Sequence, residues 1–333
     1  MGAVLGYFAA PVRRPASVTR IGRAAIDALP PRLARALGAA PAPRTVALDS
    51  LDAELARAGE LFTTSEDAAR EFLAGVELAV PDGRPADPFS DAYREWTWTL
   101  YEAISRRRDY TVANEASPFD LETARTRPFP FQTGSASVVG DDLVARGHLL
   151  RCIGDPRLGL APPARVIEFG PGWGNLTLDL AATGFEVTAV DVGEQFCTLL
   201  RARGAGSPRL HVVHEDMLSF TTDEPYDAAV FFESFHHCAD HLEMLRRLHR
   251  VVHEAGVVFL AGEPVHAMPY PWGPRLDGLS LWSMRTYGWL ELGFDRSYFD
   301  AALERTGWRG ERRALKRRHA GSADVIVARA DLA

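Results

Sequence analysis

Three cysteines in 333 residues, Cys152, Cys197 and Cys238, are too few and too scattered for a disulfide framework, and no CxxC pair offers a zinc site. The implied compartment is reducing and cytoplasmic. Surplus positive charge is lacking too: the formal net charge is −7 at pH 7, and the basic clusters are short, Arg106-Arg107-Arg108, Arg312-Arg313 and Lys316-Arg317-Arg318. A surface built to neutralise a phosphate backbone needs more than this, so nucleic acid is not the expected partner. The opening MGAVLGYFAAPVRRPASVTR is too short to span a bilayer, and its arginines follow the apolar part, the reverse of a secretory signal. No membrane partner is expected, and no internal repeat is visible. What remains is ordinary: 47% apolar and 24% charged residues describe a globular protein with no bias towards disorder or fibre. The length allows one large domain with an extension, or two modest domains.

Residues 1 to about 45 are rich in Arg, Ala and Pro, with Asp27 as the only acid and Pro30, Pro31, Pro41 and Pro43 as punctuation. A poorly ordered tail is expected there, a transit-like amphipath being the alternative. Residues 46–160 are expected to form a helical region. Ser50 is placed to cap Leu51–Ala58 with Glu54 nearby, and from Ser90 to Arg108 the residues Tyr93, Trp96, Trp98, Leu100, Tyr101 and Ile104 recur at helix-like intervals. Pro118–Gly134, with Pro128-Phe129-Pro130-Phe131, reads as an ordered loop, because proline removes a donor and restricts its predecessor. A helix follows from about Asp141 to Ile153.

Beyond Pro163, short β-branched runs alternate with helical stretches, the pattern of a parallel sheet with crossover helices. The predicted strands are Arg165–Phe169, Glu186–Asp191, Leu210–His214, Ala228–Phe232 and Gly256–Ala261, with helices near Leu176–Thr183, Glu194–Arg203 and His241–Val252. A proline-, glycine- and tryptophan-rich insertion, Pro264–Phe294, precedes a helix near Ser297–Thr306 and two last strands, Gly310–Ala314 and Asp324–Ala328.

The strongest local signal is Val166-Ile167-Glu168-Phe169-Gly170-Pro171-Gly172-Trp173-Gly174-Asn175, an apolar strand running into a glycine turn and a helix. Glycine serves where the chain turns sharply and where backbone must approach a ligand without a Cβ in between. The next strand ends in Asp191, at about the 20-residue interval where an acid reaches a ribose diol. A tight βα turn with an incidental aspartate is the plainer alternative. A dinucleotide fingerprint needs GxGxxG to seat a pyrophosphate; here Asn175 takes the third place and the spacing is GxGxG. Glu168 ahead of the turn repels pyrophosphate and suits a ligand bearing an ammonium and a sulfonium.

With Glu168, Gly170, Gly172 and Gly174 in this spacing, the chain resembles the class I S-adenosylmethionine-dependent methyltransferases, whose E-x-G-x-G-x-G motif these residues match. The resemblance runs over roughly residues 163–330. By it, Asp191 matches the ribose-binding acid, Asp216 and Met217 the pair beside adenine, and Tyr226–Glu233 the fourth-strand motif, with Glu233 counted among the cofactor-binding residues. Gly262-Glu263-Pro264 resembles the turn after the fifth strand. The implied fold is Rossmann-like α/β: a seven-stranded, mostly parallel sheet with an antiparallel last strand, preceded by the helical N-terminal region. The implied cofactor is S-adenosyl-L-methionine, bound by a domain over 161–333 that carries the insertion 264–294.

Methyl transfer is an in-line displacement, so the protein has to align the acceptor and, for a hydroxyl, remove its proton. His236 and His237, after the fourth strand at the carboxyl edge of the sheet, are the candidate bases. The alternative is that one ring merely orients the loop or contacts cofactor. A divalent metal is a further, not favoured reading, with His237 and His241 four apart and Asp240 and Glu233 near. Glu263 and His266 form a second polar wall or cap a turn. Trp272, Arg275, Trp282, Arg285, Tyr287 and Trp289 suit a sugar or aromatic acceptor, or else make the core of a lid. Tyr110, Phe129, Phe131 and Gln132 are placed to close over the cofactor. The expected activity is methyl transfer to a small-molecule hydroxyl. A non-catalytic binding module, an NAD-dependent oxidoreductase, a carbon or nitrogen methyltransferase and a cyclopropane-type lipid modification stay open as rivals.

Overall fold

The computed structural model describes residues 43–126, 135–315 and 324–331. Of the tail expected over residues 1–45, residues 1–42 lie outside the described residues, as do Phe129, Phe131, Gln132 and Lys316-Arg317-Arg318, while Arg44 and Thr45 belong to a strand. The chain divides into two units, Met1–Pro41 and Ala42–Ala333, and every described element belongs to the second.

Strand β1 (Arg44–Val46) is followed by helices α1 (Leu51–Phe62) and α2 (Glu66–Leu73) and pairs in parallel with β2 (Val76–Leu78). Ser50 does not cap α1 as expected: it ends a 3-10 turn, and its hydroxyl donates to Ala47 O at 3.0 Å. Ser90 does cap α3 (Asp91–Ser105), accepting from Tyr93 N at 3.2 Å. The aromatic face of α3 is buried, with Tyr93 and Tyr101 inaccessible to solvent.

A short helix α4 (Leu121–Thr126) forms within the stretch read as loop. The reason is local: Asp120 Oδ1 accepts from the backbone of Glu122 and Thr123 at 3.1 and 3.2 Å, a cap that outweighs the prolines further on. Helix α5 (Ala136–Ile153) begins earlier than Asp141, because Ser135 accepts from Val138 N at 3.4 Å and sets its start.

Then come β3 (Arg165–Phe169), α6 (Asn175–Ala182), β4 (Glu186–Asp191), α7 (Glu194–Arg203), β5 (Leu210–His214), β6 (Tyr226–Phe232), α8 (His241–Val251) and β7 (Val252–Ala261). Alternate strand residues go to two separate cores, Val166, Val230 and Phe259 to one face, and Phe169, Phe231 and Leu260 to the other. Burial on both faces is what makes these strands read as continuous apolar runs.

The insertion folds into a small sheet of β8 (Val265–His266), β9 (Trp272–Pro274) and β10 (Leu292–Asp295), with α9 (Gly278–Thr286) between the last two. It is fastened to the N-terminal helices. Tyr93 OH donates to Trp272 O (2.9 Å) and Tyr101 OH to Gly288 O (2.6 Å), while Trp282 packs on Phe62. Helix α10 (Arg296–Arg305) leads to β11 (Trp308–Arg313) and β12 (Val325–Ala330).

The main sheet has seven strands in the order β11-β12-β7-β6-β3-β4-β5, with β12 antiparallel to both its neighbours. The chain runs outward from β3 through β4 to β5, then returns to β6 on the other side of β3. Strand order therefore reverses between β3 and β6, where open α/β sheets form a crevice beyond the carboxyl ends of the strands.

Candidate active site

A cleft of about 530 Å3 opens at that reversal, and Glu168, Gly170, Gly172, Asp191, Asp216, Met217, Glu233 and His237 all line it. The three glycines of the turn have φ of 66°, 49° and 75°. A Cβ on Gly170 would stand 2.7 Å from Ser234 Cβ, and one on Gly174 would stand 2.3 Å from Leu200 Cδ1. A Cβ on Gly172 would meet no atom within 4 Å, so its missing side chain leaves open cleft. The outer glycines thus serve packing, and the middle one serves whatever occupies the cleft. Gly172→Ala should keep the melting temperature within a few degrees of wild type, costing about 1–2 kcal/mol of left-handed strain, yet lose ligand affinity in a titration. Gly174→Ala should show mainly a lost melting temperature.

Glu168 is buried at 2% exposure, and its Oε2 accepts from Thr177 Oγ1 at 2.5 Å. Burial pushes its carboxyl up to about 7 against the Thr177 bond. Asp191 ends β4 with each oxygen already accepting from backbone, Oδ1 from Gly193 N (2.7 Å) and Oδ2 from Gly172 N (3.1 Å). These bonds partly offset its burial, which pushes it up to about 6. A carboxylate has about four acceptor positions, so two remain for a diol. Asp216 holds its own turn through Leu218 N at 3.2 Å, and Met217 packs half-buried beside it. Trp173 and Phe196 close this end, backed by Phe119 at ring distances of 4.8 Å from each.

The histidine pair divides. His236 is buried and is not part of the cleft lining: its Nδ1 meets Glu263 Oε2 at 2.8 Å. Glu263 also accepts from the backbone of Ser234, Phe235 and His236 at 3.0, 2.9 and 3.1 Å. Burial works to raise this carboxyl, but His236 and the backbone donors outweigh it and hold it below the usual range. Glu263 therefore clamps the turn after β6 with His236 as part of the clamp, the orienting alternative for that ring.

His237 lines the cleft, and its Nδ1 lies 3.1 Å from Glu115 Oε2, an ion-pair contact off the hydrogen-bond line. Burial lowers its pKa, yet Glu115, joined by the more distant charges of Glu291 and Glu263, outweighs this and holds it at about 9. Glu115 has no signal in the sequence, since nothing in its spacing relates it to His237. It follows α3 and is fixed by Tyr110 OH (2.9 Å) and Leu290 N (2.8 Å), both donating to Oε1. Asp142, equally unsignalled, reaches the cleft from α5 and pairs with Arg146 at 3.2 Å.

Other residues singled out in the sequence lie elsewhere. His241 points away into an aromatic core, where its Nε2 meets Tyr298 OH at 2.6 Å and burial lowers it to about 3. It shares no site with His237, and among the described residues no group of three His, Cys, Asp or Glu side chains is placed to hold a metal. His266 is exposed and bonds Ala267 O. Of the aromatic and arginine residues in the insertion, only Trp289 lines the cleft, with Nε1 donating to Ser117 Oγ at 2.8 Å. Trp272 donates to Pro88 O, and Arg285 bonds Ile104 O and Asp52. From the N-terminal side Tyr110 reaches the cleft.

Comparison with known proteins agrees with this geometry. Residues 167–260 match the family described as methyltransferase domain. Ribosomal RNA small subunit methyltransferase A of a Synechococcus strain is 48% identical over 58 residues, 17% of this chain and 21% of that protein. Putative methyltransferase YqeM of Bacillus subtilis is 27% identical over 106 residues, 32% of this chain and 40% of that one. The chain thus spans between about a fifth and two fifths of the length of these curated relatives. Among solved structures, the CcbJ methyltransferase from Streptomyces caelestis superposes with a TM-score of 0.46 at 16% identity, over 66% of this chain and 99% of that one. The turn, the order of strands and the matched segment agree that residues 167–260 carry a class I, S-adenosylmethionine-dependent methyltransferase domain.

Proposed function

We propose that this chain transfers the methyl group of S-adenosylmethionine to a small molecule, at a hydroxyl of a sugar or natural-product-like metabolite, in a cytoplasmic setting. The observation that carries this reading is the charge of the cleft. Glu115, Asp142, Glu168, Asp191, Glu215, Asp216 and Glu233 line it, and among the described residues no Arg or Lys does. Such a lining repels a phosphate backbone, which needs cationic partners, and attracts a cationic ligand. The three buried, unpaired thiols accord with a reducing compartment, and among the described residues no helix is long and apolar enough to cross a membrane.

The residues fit the donor. The open space at Gly172 is where backbone meets ligand without a side chain between, and Asp191 keeps acceptor positions for the ribose hydroxyls. Glu168 places an acid beneath the turn for the ammonium, and Asp216 and Met217 stand where the adenine would lie. When bound, S-adenosylmethionine supplies an electrophilic methyl on a sulfonium. His237, held by Glu115, takes the proton of the acceptor hydroxyl. His236 and Glu263 fix the turn that carries it, and Tyr110 and Trp289 wall the acceptor side.

Incubation with donor labelled in the methyl group tests the reading. Label is expected on small hydroxyl-bearing acceptors such as phenols and sugars, and not on small-subunit ribosomal RNA, the substrate named for some of the curated relatives. Label on that RNA alone would contradict it, and donor binding without any transfer would leave a non-catalytic module.

A further inference from the structure

We propose that, among hydroxyl acceptors, the cleft selects phenols: the acceptor ring lies on the face of Trp289, with its in-plane hydroxyl turned towards His237. The proposal rests on the methyl-transfer reading above. Trp289 lies between α9 and β10 and lines the cleft. Tyr287, 41% exposed, stacks on it with ring centroids 4.5 Å apart and planes at 26°. Tyr287 thereby covers one face of the indole and leaves the other for a ligand. The indole N–H is already donated to Ser117 Oγ at 2.8 Å. Gly288 O, between the two rings in the chain, accepts from Tyr101 OH (2.6 Å) and Asn114 Nδ2 (3.3 Å), so the platform is anchored to α3 and to the segment that carries Glu115.

His237 stands beside the platform, its ring 6.2 Å from that of Trp289 and at 86° to it. A phenol ring parallel to the indole carries its hydroxyl in its own plane, the direction in which the imidazole lies. Tyr110 forms a second wall, stacked on Trp98 at 5.5 Å, and its O–H is donated to Glu115 Oε1 at 2.9 Å. Val112 adds apolar surface. With their N–H and O–H groups committed, these walls offer a ligand ring faces and apolar contact. A flat aromatic acceptor gains stacking there, whereas a sugar asks for fixed polar partners around its whole ring. Proton transfer points the same way. A phenol titrates near about 10 and water, the reference for an aliphatic hydroxyl, near about 15.7. His237, held at about 9, is matched to the first. The proton passes from the phenol oxygen to His237, and that oxygen bonds to the methyl carbon as the carbon–sulfur bond breaks, with the bonding pair returning to sulfur.

Titration of the full chain loaded with S-adenosylhomocysteine compares para-propylphenol with its ring-saturated counterpart, propylcyclohexanol, which keeps the skeleton and the hydroxyl but not the flat ring. The phenol is expected to bind at least about fivefold more tightly, the scale of one aromatic stack. Trp289→Leu should abolish that preference and Trp289→Phe should keep most of it. Affinity for S-adenosylhomocysteine should be unchanged in both, which also shows that they are folded. With labelled donor, kcat/KM should be at least about tenfold higher for propylphenol than for methyl glucoside, the difference between a matched and an unmatched acid. Trp289→Leu should raise KM for the phenol more than it lowers kcat. Equal affinity of phenol and cyclohexanol, undetectable binding of both, a preference that survives Trp289→Leu or is lost equally in Trp289→Phe, or faster transfer to methyl glucoside overturns the proposal. Should Trp289→Leu not fold, Tyr287→Ala at its exposed position carries the test: a reduced preference supports the platform, and an unchanged one overturns it. If S-adenosylhomocysteine does not bind wild type, or no acceptor is methylated, the methyl-transfer reading fails by itself; the ring preference is then measured on the ligand-free chain, where the same results support or overturn the phenol site.

Discussion

Turnover on a hydroxyl acceptor should climb about tenfold per pH unit through neutrality and level off near pH 9. The sign follows from the chemistry: only the neutral imidazole of His237 can accept a proton, and the charge of Glu115 keeps it protonated up to about 9. Removing that charge in Glu115→Gln leaves burial, which lowers a histidine, as the dominant influence on the ring. The rising limb should then move to lower pH, with Glu291 and Glu263 left as the charges that oppose burial. The same variant should lower the plateau, because the ring loses its partner across the cleft. His237→Gln should cost about 10²–10⁴-fold in kcat, the usual range for a lost general base, with little change in donor affinity. His236→Gln should act chiefly on stability, since His236 and Glu263 clamp a turn. A limb that stays near 9 in Glu115→Gln, or full activity in His237→Gln, would remove this pair from the chemistry.

Asp191→Ala should weaken S-adenosylmethionine binding by about 10²-fold or more. Charge-assisted hydrogen bonds are worth about 1.5–3 kcal/mol each, and a ribose diol would lose two of them. The backbone adds to the effect. Asp191 also accepts from Gly172 N and Gly193 N, so the substitution frees the turn at Gly172, where a Cβ would meet only open cleft. Asp191→Asn should not rescue it, because an amide has one acceptor oxygen where the carboxylate serves two backbone donors. Acid should mimic the loss: burial raises Asp191 to about 6, so affinity should decline as pH falls through that value and the carboxyl gains a proton. Titration calorimetry across this range checks both effects, and unchanged affinity in Asp191→Ala would take the residue out of the donor site.

The middle of the sheet was legible because β3, β4 and β6 are buried on both faces, which writes them as apolar runs. Arg165–Phe169, Glu186–Asp191 and Leu210–His214 lie where their composition placed them, as does the helix Glu194–Arg203. The glycine turn was legible because its constraints are local: a strand, a positive φ and a close approach leave glycine as the residue that fits. What stayed hidden depends on partners distant in the chain. Glu115 meets His237 only because α3 is fastened to the insertion. The neighbours His236 and His237 look alike in sequence, and it is Glu263 that turns one inward and leaves the other on the cleft. The insertion's strands are two to four residues long, too short to show a period, so their small sheet could not be read. The prolines around helix α4 obscure it in the sequence, and the Asp120 cap that starts it shows only in the folded chain.

The central claim is that the cleft at the β3–β6 reversal binds S-adenosylmethionine. Isothermal titration of the purified chain with S-adenosylmethionine, S-adenosylhomocysteine and NAD tests it directly. Saturable binding of the first two at one site, with no heat from NAD, is the expected result. Binding of NAD in place of the other two would contradict the account.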